Sequence, residues 1–195
     1  MTVVGLTGGI GSGKTTVAKA FNAFGIPIYI ADEEAKKLMN RSKIIRRKLI
    51  ALFGEQAYNN HELNRPFIAS VIYRDKDYLS KMNDIVHPKV AKHFLRWLNK
   101  QNAPYVLKES AILFESNSYK KCNFIVLVVA SKELKIKRLL KRDNTTKEKI
   151  QAIMNNQLND DEKAKRSDYI IKNTTLENTQ KQVKIIHKSL LKKLQ

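Results

Sequence analysis

Cysteine, acidic side chains and long apolar runs are all scarce in this sequence of 195 residues. The single cysteine, Cys122, excludes an internal disulfide, and a reducing cytoplasm is the expected compartment. No apolar run approaches the roughly 20 residues that a membrane-spanning helix needs. Glycines and Lys14 interrupt the first residues too early for a secretory signal. We therefore expect a soluble cytoplasmic protein with no membrane partner, and predict a monomer or weak oligomer.

Acidic residues number 18 against 37 basic ones, which gives a formal net charge of +19. Such an excess favours polyanionic ligands, namely nucleotides, coenzymes or nucleic acid, although a generally basic proteome would give the same balance. The lysines are spread along the chain, and Tyr and Phe do not alternate with them in a stacking pattern. We therefore predict small anionic substrates and no specific nucleic acid.

Short apolar runs alternate with helical patterns along the chain, which predicts an α/β fold with a parallel sheet. The predicted strands cover residues 3–7, 27–30, 105–109, 124–129 and 168–172. Residues 43–101 have a mostly helical pattern that is too long for a simple crossover, and Pro66 and Pro88 mark expected helix starts. This stretch predicts an inserted subdomain.

Three helices are predicted in the second half of the chain. Ser131 begins a basic helix that reaches Arg142, and Thr145 to Glu148 fit a capping box that starts another. The spacing of Val183, Ile186, Leu190 and Leu194 predicts a packed C-terminal helix in preference to a membrane-surface helix.

Residues 8–15, GGIGSGKT, match the phosphate-binding pattern GxxxxGK[ST] in full, between a predicted strand and a predicted helix. Glycines allow the backbone to turn its N–H groups towards phosphate oxygens, and the helix N-terminus also favours an anion. Lys14 is expected to reach the β- and γ-phosphates, and the Thr15 hydroxyl to hold Mg²⁺. The predicted nucleotide-binding residues of this loop are Gly9, Gly11, Ser12, Gly13, Lys14, Thr15 and Thr16.

Two rival nucleotide motifs are missing. The dinucleotide pattern GxGxxG fails, because Lys14 or Thr16 occupies its sixth position. There is no NKxD-type motif of the kind by which GTPases recognise their base. ATP is therefore the expected nucleotide.

The order of several motifs resembles the dephospho-coenzyme A kinase family over most of the chain. The loop appears as LTGGIGSGKTTVA from residue 6, followed by an Ala-Asp pair at 31–32 and by LNR at 63–65. IVHP at 85–88 and ILFE at 112–115 follow, and then Arg138 to Asp143 with Gln157, and DYIIKN at 168–173. Three positions depart from the usual family pattern, which has an acid at Ile30, Asp at Asn64 and Pro at Ala111.

The resemblance implies transfer of the ATP γ-phosphoryl group to the ribose 3′-hydroxyl of dephospho-coenzyme A, with ATP and Mg²⁺ required. It implies one P-loop kinase domain over residues 1–195 with a parallel five-stranded sheet flanked by helices. The implied core covers residues 1–31, 102–137 and 167–195, the helical coenzyme-binding insertion 32–101, and the helical lid 138–166. Another nucleoside or nucleotide kinase, and a P-loop nucleic-acid-binding switch, are the alternatives.

The predicted catalytic residues are Asp32, Lys14 and Arg142. We expect Asp32 to act as the general base, because strand two is expected beside strand one with its C-terminal end facing the loop. The alternative for Asp32 is a helix N-cap. Arg138 and Arg142 share a helix face and are expected to neutralise the transferring phosphoryl group, although a solvated basic face would also explain them.

The remaining predictions rest mainly on the resemblance, and all except the one for Asn173 have a structural alternative. Glu109 ends the third strand, where an acid would help to hold Mg²⁺; a purely structural role is the alternative. Arg65, His87 and Glu115 are predicted substrate contacts; the alternatives are a surface arginine, a helix cap before Pro88 and a structural acid. Asn173 is expected beside the adenine of ATP.

Overall fold

Residues 1–75 and 77–194 are described by the computed structural model, and they alternate between strands and helices. The strands are β1 Thr2–Thr7, β2 Ile28–Ile30, β3 Tyr58–Asn59, β4 Glu62–Leu63, β5 Tyr105–Glu109, β6 Phe124–Val129 and β7 Tyr169–Lys172. The helices are α1 Lys14–Asn22, α2 Ala31–Arg41, α3 Lys43–Phe53, α4 Arg65–Arg74, α5 Asp77–Leu98, α6 Lys132–Arg142, α7 Lys147–Asn155, α8 Asp160–Ala164 and α9 Leu176–Lys193. Within this range no helix combines the length and apolar character that crossing a membrane requires.

The chain divides into two compact units, residues 1–30 with 101–195, and residues 31–100. The first unit contains a five-stranded parallel sheet in the order β2-β5-β1-β6-β7. This confirms the predicted α/β fold. The boundaries of the second unit differ by one residue from those predicted for the insertion.

The predicted position of strand two beside strand one is wrong, because β5 lies between them. Leu6 of β1 and Ile30 of β2 are both in register with Glu109 of β5. After β2 the chain runs through the second unit and returns as the strand next to β1. The acid at the end of β5 is therefore the one that the sheet brings beside the phosphate loop.

The apolar core of the first unit is formed by the sheet and by α1 and α9. Val17 and Phe21 of α1 and Val183 and Leu190 of α9 are fully buried in it. The predicted apolar stripe of the C-terminal helix is therefore confirmed as a packed face.

The second unit has its own core, which α2, α3 and α5 supply with Leu38, Ile45, Leu49 and Val86. A hairpin of β3 and β4, which the sequence did not predict, interrupts the helices. Its turn contains Asn60 at φ 45° and His61 at φ 72°, so the turn lacks the glycine that usually indicates such a hairpin.

One predicted helix start is wrong. Pro88 lies inside α5, so His87 lies in the middle of a helix and is not its N-cap. Two apolar side chains of this helix, Val86 before the proline and Phe94 after it, are buried, and their packing offsets the lost hydrogen bond. The predicted start of α7 is confirmed, because the helix begins at Lys147. Its cap is Thr146, which accepts from the Lys149 N–H at 3.4 Å, one residue after the Thr145 of the predicted capping box.

Candidate active site

The phosphate loop joins β1 to α1 within the first unit. Gly8, Gly11 and Gly13 have φ values of 153°, 78° and 93°, which side-chain-bearing residues rarely adopt. Gly13 caps α1 without any side-chain hydrogen bond, so the helix N-terminus presents backbone N–H groups that suit an anion. The hydroxyls of Thr7 and Ser12 are buried and have no partner among the described residues, which also suits a ligand with hydrogen-bonding oxygens.

Lys14 begins α1 and points back across the loop. Its Nζ donates to the Gly8 carbonyl at 3.0 Å and lies 3.8 Å from Oε1 of Glu109. Both side chains are largely buried, with exposed fractions of 12% and 9%. The loop and the end of β5 thus place a cation and an acid together, while Thr15 is exposed and Thr16 half-buried at the start of the helix.

A Mg²⁺ ion fits this arrangement. The described residues contain no group of three or more His, Cys, Asp and Glu side chains that would hold a metal by themselves. Magnesium usually takes one or two protein oxygens and completes its shell with water and substrate phosphates. The Thr15 hydroxyl and the Glu109 carboxylate are the side chains that would contribute such oxygens.

Asn173, which directly follows β7, and Arg138 of α6 both contact the phosphate loop. Asn173 is buried; its side chain donates to the Ser12 carbonyl at 2.8 Å and accepts from Thr179 Oγ1 at 2.9 Å. Arg138 donates to the Ser12 carbonyl at 3.2 Å and to the Asn173 carbonyl at 3.1 Å. These contacts give both residues a role in shaping the loop.

Arg142 lies one turn further along α6 and is exposed, with two hydrogen bonds to the neighbouring Asp143 at 2.7 and 2.8 Å. It makes none of the loop contacts that Arg138 makes. The two arginines therefore differ in surroundings, although their spacing places them on one face of the helix.

Polar groups of the predicted lid and of α6 lie on the other side of the loop. Gln157 Oε1 accepts from the Ile10 N–H at 2.9 Å, and Lys135 forms an ion pair with Asp160 beside Gly9. A cleft of about 380 Å³ lies here, lined by Gly9, Lys135, Gln157 and Asp160 among others. The sequence offered no specific signal for Lys135 or Asp160, because a basic chain contains many similar pairs.

Glu115 follows β5 and contacts the base of the same lid. Its Oε1 accepts from the Leu158 N–H at 3.0 Å and lies 2.9 Å from Nζ of Lys163. Lys163 is fully buried. These contacts favour the structural alternative for Glu115, and its predicted contact with the substrate remains a prediction.

The remaining predicted site residues belong to the second unit. Asp32 is exposed in the first turn of α2, two residues after the end of β2. Asp32 is the second residue of the helix, whereas an N-cap is the residue just before the first helical one. Arg65 is exposed at the start of α4, where the preceding Asn64 caps the helix by accepting from the Phe67 N–H at 3.3 Å. His87 is exposed on α5.

The parallel sheet, the phosphate loop with its lysine and the facing acid define a P-loop kinase, a phosphotransferase. Residues 2–178 match the family model described as dephospho-CoA kinase. The chain therefore belongs to the dephospho-CoA kinase family.

Individual relatives agree with this assignment. The chain is 37% identical to the dephospho-CoA kinase of Bacteroides fragilis over 171 residues, covering 87% of this chain and 83% of the relative. It is 36% identical to that of Listeria monocytogenes over 185 residues, covering 92% of each. Among solved structures, TT1252 from Thermus thermophilus has a TM-score of 0.88 and 28% identity, covering 100% of this chain and 98% of that one. Shikimate kinase from Bacteroides thetaiotaomicron shares the fold alone, at a TM-score of 0.55 and 14% identity over 97% of this chain and 98% of that one.

Proposed function

We propose that this chain transfers the γ-phosphoryl group of ATP to the ribose 3′-hydroxyl of dephospho-coenzyme A and releases coenzyme A and ADP. This would be the final step of coenzyme A synthesis. The observation that carries the proposal is the family match over residues 2–178, because it extends far beyond the phosphate loop. The loop would serve any P-loop kinase, whereas the match also spans the whole unit of residues 31–100.

The phosphates of ATP are held by the backbone N–H groups between Gly11 and Thr16 and by the Lys14 ammonium. Lys14 already lies beside the loop, so little reorganisation is needed when negative charge develops on the transferring group. A Mg²⁺ ion held by Thr15, with Glu109 nearby, would neutralise phosphate charge when bound. The pairing of Glu109 with Lys14 supports this assignment, because it keeps both side chains oriented in a largely buried position.

Asp32 orients the acceptor hydroxyl and accepts its proton in this mechanism. A carboxylate at the start of α2 lies outside the sheet, and its exposure leaves it accessible to an acceptor. Arg65 and His87, both exposed, are the proposed contacts of the same unit with the coenzyme. Arg142 exchanges its Asp143 partner for phosphoryl oxygens when the lid closes, and closure excludes water as a competing acceptor.

An ADP-release assay tests the reaction. Purified protein with ATP and Mg²⁺ should release ADP only when dephospho-coenzyme A is present, and mass spectrometry should detect coenzyme A. ADP release that depends instead on a nucleoside or a nucleoside monophosphate would indicate another kinase of the same architecture. Salt-sensitive binding of RNA together with acceptor-independent release would indicate a nucleic-acid switch.

We also propose a cytoplasmic location and a monomer or weak oligomer. The single cysteine supports the location, because cytoplasmic proteins rarely depend on disulfides. Size-exclusion chromatography with light scattering would test the oligomeric state.

A further inference from the structure

The lid contacts the phosphate loop at its apex. The Ile10 N–H belongs to the residue just before Gly11, and it donates to Gln157 Oε1 at 2.9 Å. Gln157 is separated from Ile10 by 147 positions in the sequence, so the tertiary fold alone brings them together. This hydrogen bond fixes the backbone of the loop at the point where its glycines would otherwise allow many conformations.

An ion pair between the buried Lys163 and the half-buried Glu115 holds the chain next to Gln157. The N–H of Leu158, the residue that follows Gln157, donates to Glu115 Oε1 at 3.0 Å. The same oxygen lies 2.9 Å from Nζ of Lys163, whose side chain is fully buried. Glu115 lies in the segment after β5 and Lys163 lies in α8, so this pair connects that segment to the end of the lid.

We propose that Gln157 is a positioning residue for phosphoryl transfer, held against the Ile10 amide by the Lys163–Glu115 ion pair. The inference rests on the proposed kinase reaction and assigns Gln157, Glu115 and Lys163 to it. Gln157 acts through the shape of the phosphate loop. The ion pair acts one step further away, by fixing the backbone from which Gln157 extends.

Amide hydrogen exchange of Ile10, measured by NMR on the protein without nucleotide, tests the contact independently of activity. Gln157→Ala should accelerate exchange by about 2- to 10-fold, the effect of losing one hydrogen bond. Lys163→Met should accelerate it in the same direction. The matched controls are Gln151→Ala and Lys165→Met, which lie in the same segment. The Gln151 side chain donates to Asn155, and Lys165 is exposed. Both controls should leave Ile10 exchange unchanged.

Steady-state kinetics then test the role in the reaction. Gln157→Ala should lower kcat by roughly 10- to 100-fold, as expected for a misplaced reacting group, and should change the KM for ATP far less. If Lys163→Met does not fold, Glu115→Gln provides the same test of Ile10 exchange, because it keeps the volume of the Glu115 side chain and removes the negative charge of the ion pair. Unchanged Ile10 exchange in Gln157→Ala would overturn the inference. A wild-type protein that fails to make coenzyme A while this exchange effect is present would instead overturn the proposed function.

Discussion

The side-chain nitrogen of Asn173 occupies the space that a Cβ on Gly13 would need. The same nitrogen donates to the Ser12 carbonyl at 2.8 Å, and Asn173 is itself buried. Two features therefore require glycine at position 13: the backbone φ of 93°, and the Asn173 side chain in the space where a Cβ would lie. The glycine that precedes the lysine of the loop is fixed by packing within the protein as well as by space for a phosphate.

Gly13→Ala should consequently destabilise the protein more than an alanine at another glycine with positive φ. Gly25 is the matched control, because its φ is 78° and no atom lies within 4 Å of the position that a Cβ would take there. Gly25→Ala should cost about 1 kcal/mol from backbone strain alone. Gly13→Ala should cost roughly 2 kcal/mol more, in the range of overpacked sites. Urea unfolding of both variants measures the difference, and equal losses would contradict the collision with Asn173.

Lys14→Ala should nearly abolish turnover in a protein that remains folded. The ammonium of Lys14 lies between the Gly8 carbonyl and Glu109, where it would compensate the charge of the phosphates. ADP release should fall by roughly 10²-fold or more, while circular dichroism stays unchanged. Lys19→Ala, an exposed change in the same helix, is the control. Turnover within a few-fold of wild type would remove Lys14 from the catalytic role.

Strand positions and the phosphate loop were predictable from the sequence because local patterns determine them. The alternation of short apolar runs and the spacing of glycines needed no knowledge of distant residues. The order of the strands was not predictable in this way. The strand order depends on the return of the chain as β5 between β2 and β1, and no local sequence pattern indicates that return.

Only part of the candidate site was predictable, because local sequence patterns determine only some of its residues. Lys14 and Thr15 belong to a contiguous motif, whereas the partners of Ser12, namely Arg138 and Asn173, come from distant segments. Lys163 is one of many lysines in this chain, and its burial against Glu115 became visible only in the fold. The β3–β4 hairpin was missed because its turn uses Asn60 and His61 in place of glycine.

Arg138 and Arg142 should respond differently to substitution. Arg138→Ala removes two hydrogen bonds that hold Ser12 and Asn173, so it should lower stability by about 1 to 3 kcal/mol and raise the KM for ATP. Arg142→Ala should leave the unfolding free energy nearly unchanged, because its pair with Asp143 is exposed. It should lower kcat instead. Unfolding curves and steady-state kinetics of both variants measure the contrast, and identical profiles would contradict it.

Cys122 should react slowly with thiol reagents at neutral pH. Burial raises the pKa of its thiol to about 11, and the positive charge of Lys108 only partly opposes this. The thiol therefore stays protonated at pH values where an ordinary cysteine ionises. Because the thiolate is the reactive form, little of the reactive species is present at neutral pH. The folded pKa lies above the unfolded one, so this contribution to stability is complete below about pH 9 and is lost as the pH rises towards 11. The rate of labelling between pH 7 and 11 measures the titration; fast labelling at pH 7 would contradict it.

Asp32→Asn should lower kcat by roughly 10²- to 10⁴-fold with little change in ATP binding. Asparagine keeps the shape of the side chain and its ability to orient a hydroxyl, but it accepts no proton. Glu33→Gln is the matched control, because Glu33 is also exposed in the first turn of α2. The two substitutions remove the same charge from the same helix end, so any effect of the helix dipole is common to both. A loss confined to Asp32→Asn therefore isolates proton transfer, and near-normal turnover in that variant would remove Asp32 from the role of general base.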